Sequence, residues 1–86
     1  MPSITLISKP GCHLCDAARE VVLGVVAGLR EQDPRLVMSV EELSILDDAA
    51  LLDRYGEEIP VVLIDGRVHN IWRVDPARLR AAILEA

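Results

Sequence analysis

The segment KPGCHLCDA, residues 9–17, holds both cysteines of the chain, with two residues between Cys12 and Cys15. A Pro-Gly pair, which favours a turn, precedes them. Before the turn, Ser3 to Ser8 is a short, β-branched stretch typical of a strand, and from Cys12 onwards apolar residues recur with a helical period. The segment is therefore predicted to join a strand to the first turn of a helix.

Cysteines at this spacing and in this position favour thiol chemistry. The unpaired N–H groups and the partial positive charge at the start of a helix stabilise a thiolate, and the thiolate is the reactive form of cysteine. Cys12 is therefore the predicted nucleophile. Cys15, one turn later and deeper, is the predicted resolving thiol, which releases product from a mixed disulfide.

Two other uses of the cysteine pair are less favoured. A structural zinc site requires four ligands, and only His13 and His69 could complete the set. Because His13 lies between the cysteines, it would point away from a site that they share, so we expect no metal. A pair of inert buried cysteines is disfavoured by its position at the start of a helix.

Composition excludes several classes of protein. The 86 residues predict one domain, residues 1–86, and a net charge of −5 disfavours nucleic-acid binding. The longest apolar run, Val21 to Leu29, is shorter than the roughly 20 residues of a membrane span.

The start of the chain does not resemble a signal peptide, so we expect a cytoplasmic location, where a structural disulfide is unusual. We expect a monomer without membrane partners.

The rest of the chain alternates strands and helices. The first helix is predicted to end at Asp33-Pro34, and a strand over Leu36–Leu43 follows it. A second helix is predicted from Asp47 or Asp48 to Tyr55. Two strands, over 59–64 and Arg67–Trp72, are joined by an Asp65-Gly66 hairpin, and a last helix starts at Asp75-Pro76. The order β-α-β-α-β-β-α predicts an α/β fold with a mixed four-strand sheet and helices packed on it.

Two finer features are also expected. The alternation of apolar and polar residues slips near Glu41 and Glu42, which predicts a β-bulge or an early end to that strand. Gly24 and Gly28 lie four residues apart in the first helix, which predicts the close approach of a neighbouring element.

With these motifs in place, the chain resembles the thioredoxin superfamily, and most closely its small glutaredoxin-like branch. The resemblance rests on the Cys-x-x-Cys motif after a strand, on Tyr55-Gly56 followed by Ile59-Pro60-Val61, and on the Asp65-Gly66 hairpin. It covers nearly the whole chain. It implies a three-layer thioredoxin-like fold and an enzyme that reduces disulfides, with Cys12 and Cys15 as its redox-active pair.

The resemblance also implies roles for other residues. Pro60 matches the cis-proline of the family, so the backbone of Ile59 would pair with the substrate beside the reacting disulfide. Lys9 matches a basic residue that helps to hold the thiolate or the glycine carboxylate of glutathione. A protonated His13 would stabilise the neighbouring thiolate. Asp75 matches an aspartate near the γ-glutamyl end of glutathione, and Trp72 is a candidate platform for the substrate.

The segment before Asp75 departs from the family, which usually carries Gly-Gly there, whereas this chain has Ile71, Trp72 and Arg73. These larger side chains could fill the glutathione pocket. Glutathione as co-substrate and a reductant of the thioredoxin-reductase type therefore both stay open, and no bound cofactor is expected. The substrate would be a protein or small molecule that contains a disulfide.

Two alternative functions use the same fold. One is an iron–sulfur carrier in which Cys12 and external thiols bridge two protomers, although such relatives usually have a single cysteine, and Cys15 counts against this function. The other is a redox-sensing or docking module without turnover, because a fold alone does not decide function.

Overall fold

The computed structural model describes residues 2–86, and its helices and strands follow the predicted order. They are β1 (Ser3–Ser8), α1 (His13–Gln32), β2 (Ser39–Ser44), α2 (Ala49–Tyr55), β3 (Val61–Ile64), β4 (Arg67–Ile71) and α3 (Pro76–Glu85). The predicted α/β architecture with a mixed four-strand sheet is confirmed.

The sheet has the strand order β2-β1-β3-β4. β1 and β2 are parallel, as expected for two strands joined by a helical crossover. β3 runs antiparallel to both β1 and β4, and Ile7 near the end of β1 lies opposite Val61 at the start of β3. As a consequence, the loop that follows β1 and the segment that precedes β3 meet at the same end of the two central strands, which is where the Cys-x-x-Cys motif and Ile59-Pro60 lie.

Helices cover both faces of the sheet, so the fold has three layers. On one face, α1 and α3 pack over Ile4, Leu6 and Val62, mainly through Val22 and Leu79. On the other face, a smaller cluster joins the sheet to α2 and its flanks, with members Ile7, Ile45, Tyr55 and Val61. Complete burial of each large aliphatic side chain contributes about 2 kcal/mol to folding.

The short helices begin at the aspartates that the sequence offers as caps. The side chain of Asp48 accepts a hydrogen bond from Ala50 N at 2.9 Å, so Asp48 rather than Asp47 caps α2. Asp75 caps α3, and Pro76 occupies the first turn. Each cap satisfies backbone N–H groups that have no partner within the helix.

The prediction of a strand over Leu36–Leu43 is wrong in two respects: the residue at which the strand begins, and the bulge or early end expected near Glu41 and Glu42. Leu36 N bonds to Asp33 O in a turn, so β2 begins only at Ser39. The pairing of β1 with β2 runs without a break through Glu41 and Glu42. No bulge is needed there because Glu42 finds polar partners on α1 and β1. The irregularity lies instead in the pairing of β3 with β4, between Val62 and Leu63.

The expected close approach at Gly24 and Gly28 is also wrong. No atom of a neighbouring element lies within 4 Å of the position that a Cβ would take at either glycine, and both residues are exposed. The face of α1 that packs on the sheet is formed by Ala18, Val22 and Val26 instead. In the part of the chain that the structure describes, no helix is long and apolar enough to cross a bilayer.

Candidate functional site

Cys12 is the N-cap residue of α1. Its backbone is extended, with φ −103° and ψ 115°, and its Sγ accepts a hydrogen bond from Cys15 N at 3.2 Å. The turn before it uses Gly11 at φ 74°, a left-handed conformation that glycine adopts without steric cost. Cys12 therefore occupies the position at which a serine or aspartate oxygen commonly accepts this bond.

Cys15 differs sharply from Cys12 in its surroundings. Its side chain is fully buried, whereas Cys12 is half-buried, and both are free thiols. Burial is the main cause that raises the pKa of Cys15 from its ordinary value of 9.0 to about 11, and the hydrogen bond with Cys12 adds to it. A backbone hydrogen bond from Lys9 acts in the opposite direction. The pair thus combines an accessible thiol at a helix start with a protected, weakly acidic one.

The Ile59–Pro60 peptide bond is cis, and Pro60 is buried while Ile59 is half-buried. The carbonyl oxygen of Pro60 accepts a hydrogen bond from Trp72 N at 2.8 Å. Because β3 starts beside the end of β1, this peptide lies at the same end of the central strands as the cysteine loop.

An apolar groove of about 320 Å³ opens beside the cysteines. It is lined by residues of α1 and of the segment between β4 and α3: Leu14, Ala17, Ala18, Val21, Trp72, Arg73 and Val74. Leu14, which stands between the two cysteines in the chain, connects this groove to the cysteine motif.

Trp72 forms one wall of this groove in an unusual backbone conformation. Its φ is 65°, which is a rare value for a bulky residue, and 53% of it is exposed. Its Nε1 donates a hydrogen bond to Glu57 O at 3.3 Å. The indole is therefore tied to the segment that leads into Ile59 and Pro60.

The remaining residues singled out from the sequence do not line the groove. Lys9 and His13 are exposed, and His13 is the first residue of α1. The carboxylate of Asp75 accepts hydrogen bonds from Ala77 N and Arg78 N, at 2.9 and 3.4 Å, so it caps α3 and does not line the groove.

Sequence reasoning missed a polar network on the other side of the cysteine loop. Arg19 donates two hydrogen bonds to Glu42, from Nε at 2.7 Å and from Nη2 at 2.6 Å. It donates a third, from Nη1, to Asp16 at 2.9 Å. Glu42 also accepts from Ser8 Oγ at 2.6 Å. The guanidinium holds the pKa of Glu42 below its ordinary value. The sequence signal was the position of Arg19, four residues after Cys15.

Within residues 2–86, no three or more His, Cys, Asp or Glu side chains cluster in an arrangement that could hold a metal ion.

Comparison with known proteins shows the family. Residues 3–84 match the family described as Glutaredoxin-like domain (DUF836), and the chain belongs to this family. An uncharacterized protein of Mycobacterium tuberculosis is 32% identical over 82 residues, which are 95% of this chain and 82% of that protein. A glutaredoxin-like protein of Dictyostelium discoideum is 28% identical over 79 residues, covering 90% of this chain and 70% of that protein.

Solved structures agree with this assignment. A structural genomics target protein from X. campestris superposes with a TM-score of 0.73 at 36% identity, over 96% of this chain and 97% of that one. A mutant thioredoxin from Halobacterium salinarum superposes with a TM-score of 0.58 at 20% identity, over 98% and 73% of the two chains, which shows a shared fold. The predicted thioredoxin-like, glutaredoxin-like fold is confirmed.

Proposed function

We propose that the protein is a thiol–disulfide oxidoreductase in which Cys12 attacks and Cys15 resolves. The observation that carries this proposal is the asymmetry of the pair. Cys12 caps α1 and is accessible, whereas Cys15 is fully buried one turn later with a pKa raised to about 11. An external disulfide therefore meets Cys12 first, and Cys15 reacts only within the protein.

The reaction transfers two electrons from the dithiol to the substrate. The Cys12 thiolate attacks one sulfur of a substrate disulfide, forms a mixed disulfide and releases the first substrate thiolate. Cys15 then attacks the sulfur of Cys12, the mixed disulfide breaks, and the second substrate thiolate leaves. The protein is left with a Cys12–Cys15 disulfide, which a separate reductant must reduce.

Substrate binding would use both borders of the cysteine loop. The backbone of Ile59, next to Pro60, would pair with the chain of a protein substrate, and the apolar groove beside Leu14 and Trp72 would take a side chain. Lys9 and His13 are exposed and stand on either side of Cys12 in the sequence, and a positive charge on either would stabilise an attacking thiolate.

The structure favours a reductant other than glutathione. Trp72 and Arg73 line the groove at the position where the family usually has two glycines, so larger side chains stand where glutathione would bind. A flavoprotein of the thioredoxin-reductase type is therefore the favoured electron donor, with glutathione as the alternative.

The test is an insulin-reduction assay run with each reductant system in turn, one based on glutathione and its reductase, the other on thioredoxin reductase. The unsubstituted protein should support turnover, and the Cys12→Ser variant should not. If neither system gives turnover although the Cys12–Cys15 disulfide forms and is reduced, the protein is a sensing or docking module instead of an enzyme.

A further inference from the structure

The network of Ser8, Arg19 and Glu42 faces the cysteine loop on the side opposite Trp72. Arg19 and Glu42 line a cavity of about 410 Å³ together with Lys9 and Pro10, the two residues that lead into the cysteine motif. Ser8 is the last residue of β1 and is 2% exposed. The network therefore connects the end of β1, the edge strand β2 and the first turns of α1 around one loop.

Arg19 is placed next to Cys15 by the geometry of α1. The two residues are four positions apart, and side chains at that spacing lie on the same face of a helix with Cβ atoms about 5–6 Å apart. The guanidinium cannot swing freely, because Glu42 on β2 holds it with two hydrogen bonds and Asp16 holds it with one. The guanidinium of a residue one helical turn after the buried thiol is thus held by two carboxylates.

The network is not suited to accept a proton from Cys15. The Glu42 carboxylate is paired with Arg19 and bonded to Ser8, and these contacts keep its pKa below the ordinary value. A carboxylate of low pKa is a weak base towards a thiol whose own pKa is raised. The remaining contribution is electrostatic, and the charge of Arg19 acts to lower the pKa of Cys15 against the effect of burial.

We propose that Arg19, held by Glu42 and Asp16, is a positioning residue for the resolving step, where its fixed charge stabilises the thiolate of Cys15. This inference rests on the proposed function, since it needs Cys15 to attack the mixed disulfide. The charged and titratable groups around Cys15 are Cys12, Asp16 and Arg19 on α1, Lys9 in the preceding loop and Glu42 on β2.

The step balances without a further reactant. Cys15 loses its proton to solvent, and its thiolate attacks the sulfur of Cys12. The bond between Cys12 and the substrate sulfur breaks, the Cys12–Cys15 bond forms, and the substrate leaves as a thiolate with the electron pair. Arg19 takes part in no bond change, and its charge lowers the free energy of the attacking anion.

The two steps can be observed separately with dithiobis-nitrobenzoate, an aromatic disulfide whose released thiolate absorbs visible light. In a stopped-flow experiment, attack by Cys12 releases a first thiolate and resolution by Cys15 releases a second. We expect Arg19→Gln to leave the first phase unchanged, to slow the second about threefold at pH 7 and to move its pH midpoint upwards. Arg19→Lys, which keeps the charge, should restore the second phase.

The matched control is Arg30→Gln, because Arg30 lies on the same helix and bonds to Met38 O, away from the cysteines. It should leave both phases as in the parent. The inference is wrong if Arg19→Gln leaves the second phase unchanged, if it slows both phases equally, or if Arg19→Lys is as slow as Arg19→Gln.

A measurement on the unsubstituted protein covers the case in which Arg19→Gln fails to fold. Added salt screens the charge of Arg19, whose side chain is 36% exposed, so the rate of the second phase, an intramolecular step, should fall as ionic strength rises. A rate of the second phase that does not change with salt would contradict the inference. Failure of the proposed function looks different, since the parent would then release only one thiolate.

Discussion

The backbone N–H of Cys15 donates a hydrogen bond to Sγ of Cys12, at 3.2 Å, so the accessible thiol caps the helix that buries the other thiol. The same contact therefore serves the stability of α1 and the chemistry of the pair. An N–H donor stabilises a thiolate more than a thiol, because hydrogen bonds to charged acceptors are stronger.

This contact predicts that the two usual substitutions at Cys12 differ in stability. Serine is a preferred N-cap residue and alanine is not, so Cys12→Ala should lower the free energy of unfolding by about 1 kcal/mol relative to Cys12→Ser. Urea denaturation of the two variants measures the difference. Equal stabilities would show that the side chain at position 12 does not cap α1.

The raised pKa of Cys15 predicts that the reduced protein loses stability in alkali. The folded state keeps the proton of Cys15 up to a pH of about 11, whereas the unfolded chain releases it near 9.0. Unfolding is therefore favoured as pH rises through this window, and the loss between pH 8 and pH 10 is roughly 1 kcal/mol. The Cys15→Ala variant, which has no thiol to ionise there, should lack this component of the pH dependence. A parallel decline in both proteins would contradict the prediction.

The burial of His69 should make the protein lose stability as the pH falls. Its Nε2 is buried and has no hydrogen-bond partner among the described residues, and burial followed by the charge of Arg78 lowers its pKa below 6.5. The unfolded chain then binds a proton at a higher pH than the folded protein, so stability falls as pH drops below about 6.5. His69→Gln should flatten this part of a profile of melting temperature against pH. The same dependence of melting temperature on acidic pH in the His69→Gln variant and the parent would contradict the prediction.

The side chain of Trp72 should determine which reductant can bind in the groove. Trp72→Gly removes the indole wall and places at φ 65° the residue that tolerates this conformation. We expect turnover supported by glutathione to rise severalfold. Stability should change by no more than about 1 kcal/mol, because relief of backbone strain offsets the lost contacts. Trp72→Phe keeps an aromatic wall and should behave like the parent. If glutathione-supported turnover is the same in all three proteins, Trp72 does not select the reductant.

The parts of the fold that were predictable depend on local pattern. The strand before Cys12, the caps at Asp48 and Asp75 and the Asp65-Gly66 hairpin each follow from residues close together in the chain. The run Val61-Val62-Leu63-Ile64, which is apolar on both faces, is likewise typical of a strand covered on both sides. These features need no knowledge of which elements meet in space.

The features that sequence reasoning missed depend on contacts between distant elements. Arg19 and Glu42 are 23 residues apart, and their pairing requires that α1 lie over the edge strand β2. The same pairing explains why the polar residues at Glu41 and Glu42 do not break the strand. Similarly, nothing local to Trp72 indicates a left-handed backbone, which its bonds to Pro60 and Glu57 hold in place.

The most direct test of the central assignment is to trap the reaction intermediate by intact-protein mass spectrometry. The Cys15→Ser and Cys12→Ser variants are each incubated with an excess of a small disulfide such as hydroxyethyl disulfide at neutral pH. Cys15→Ser should accumulate one stable adduct on Cys12, whereas Cys12→Ser should remain unmodified because Cys15 is buried and its pKa is raised. Rapid adduct formation at Cys15 in the Cys12→Ser variant, with none at Cys12 in the other, would contradict the assignment of nucleophile and resolving thiol.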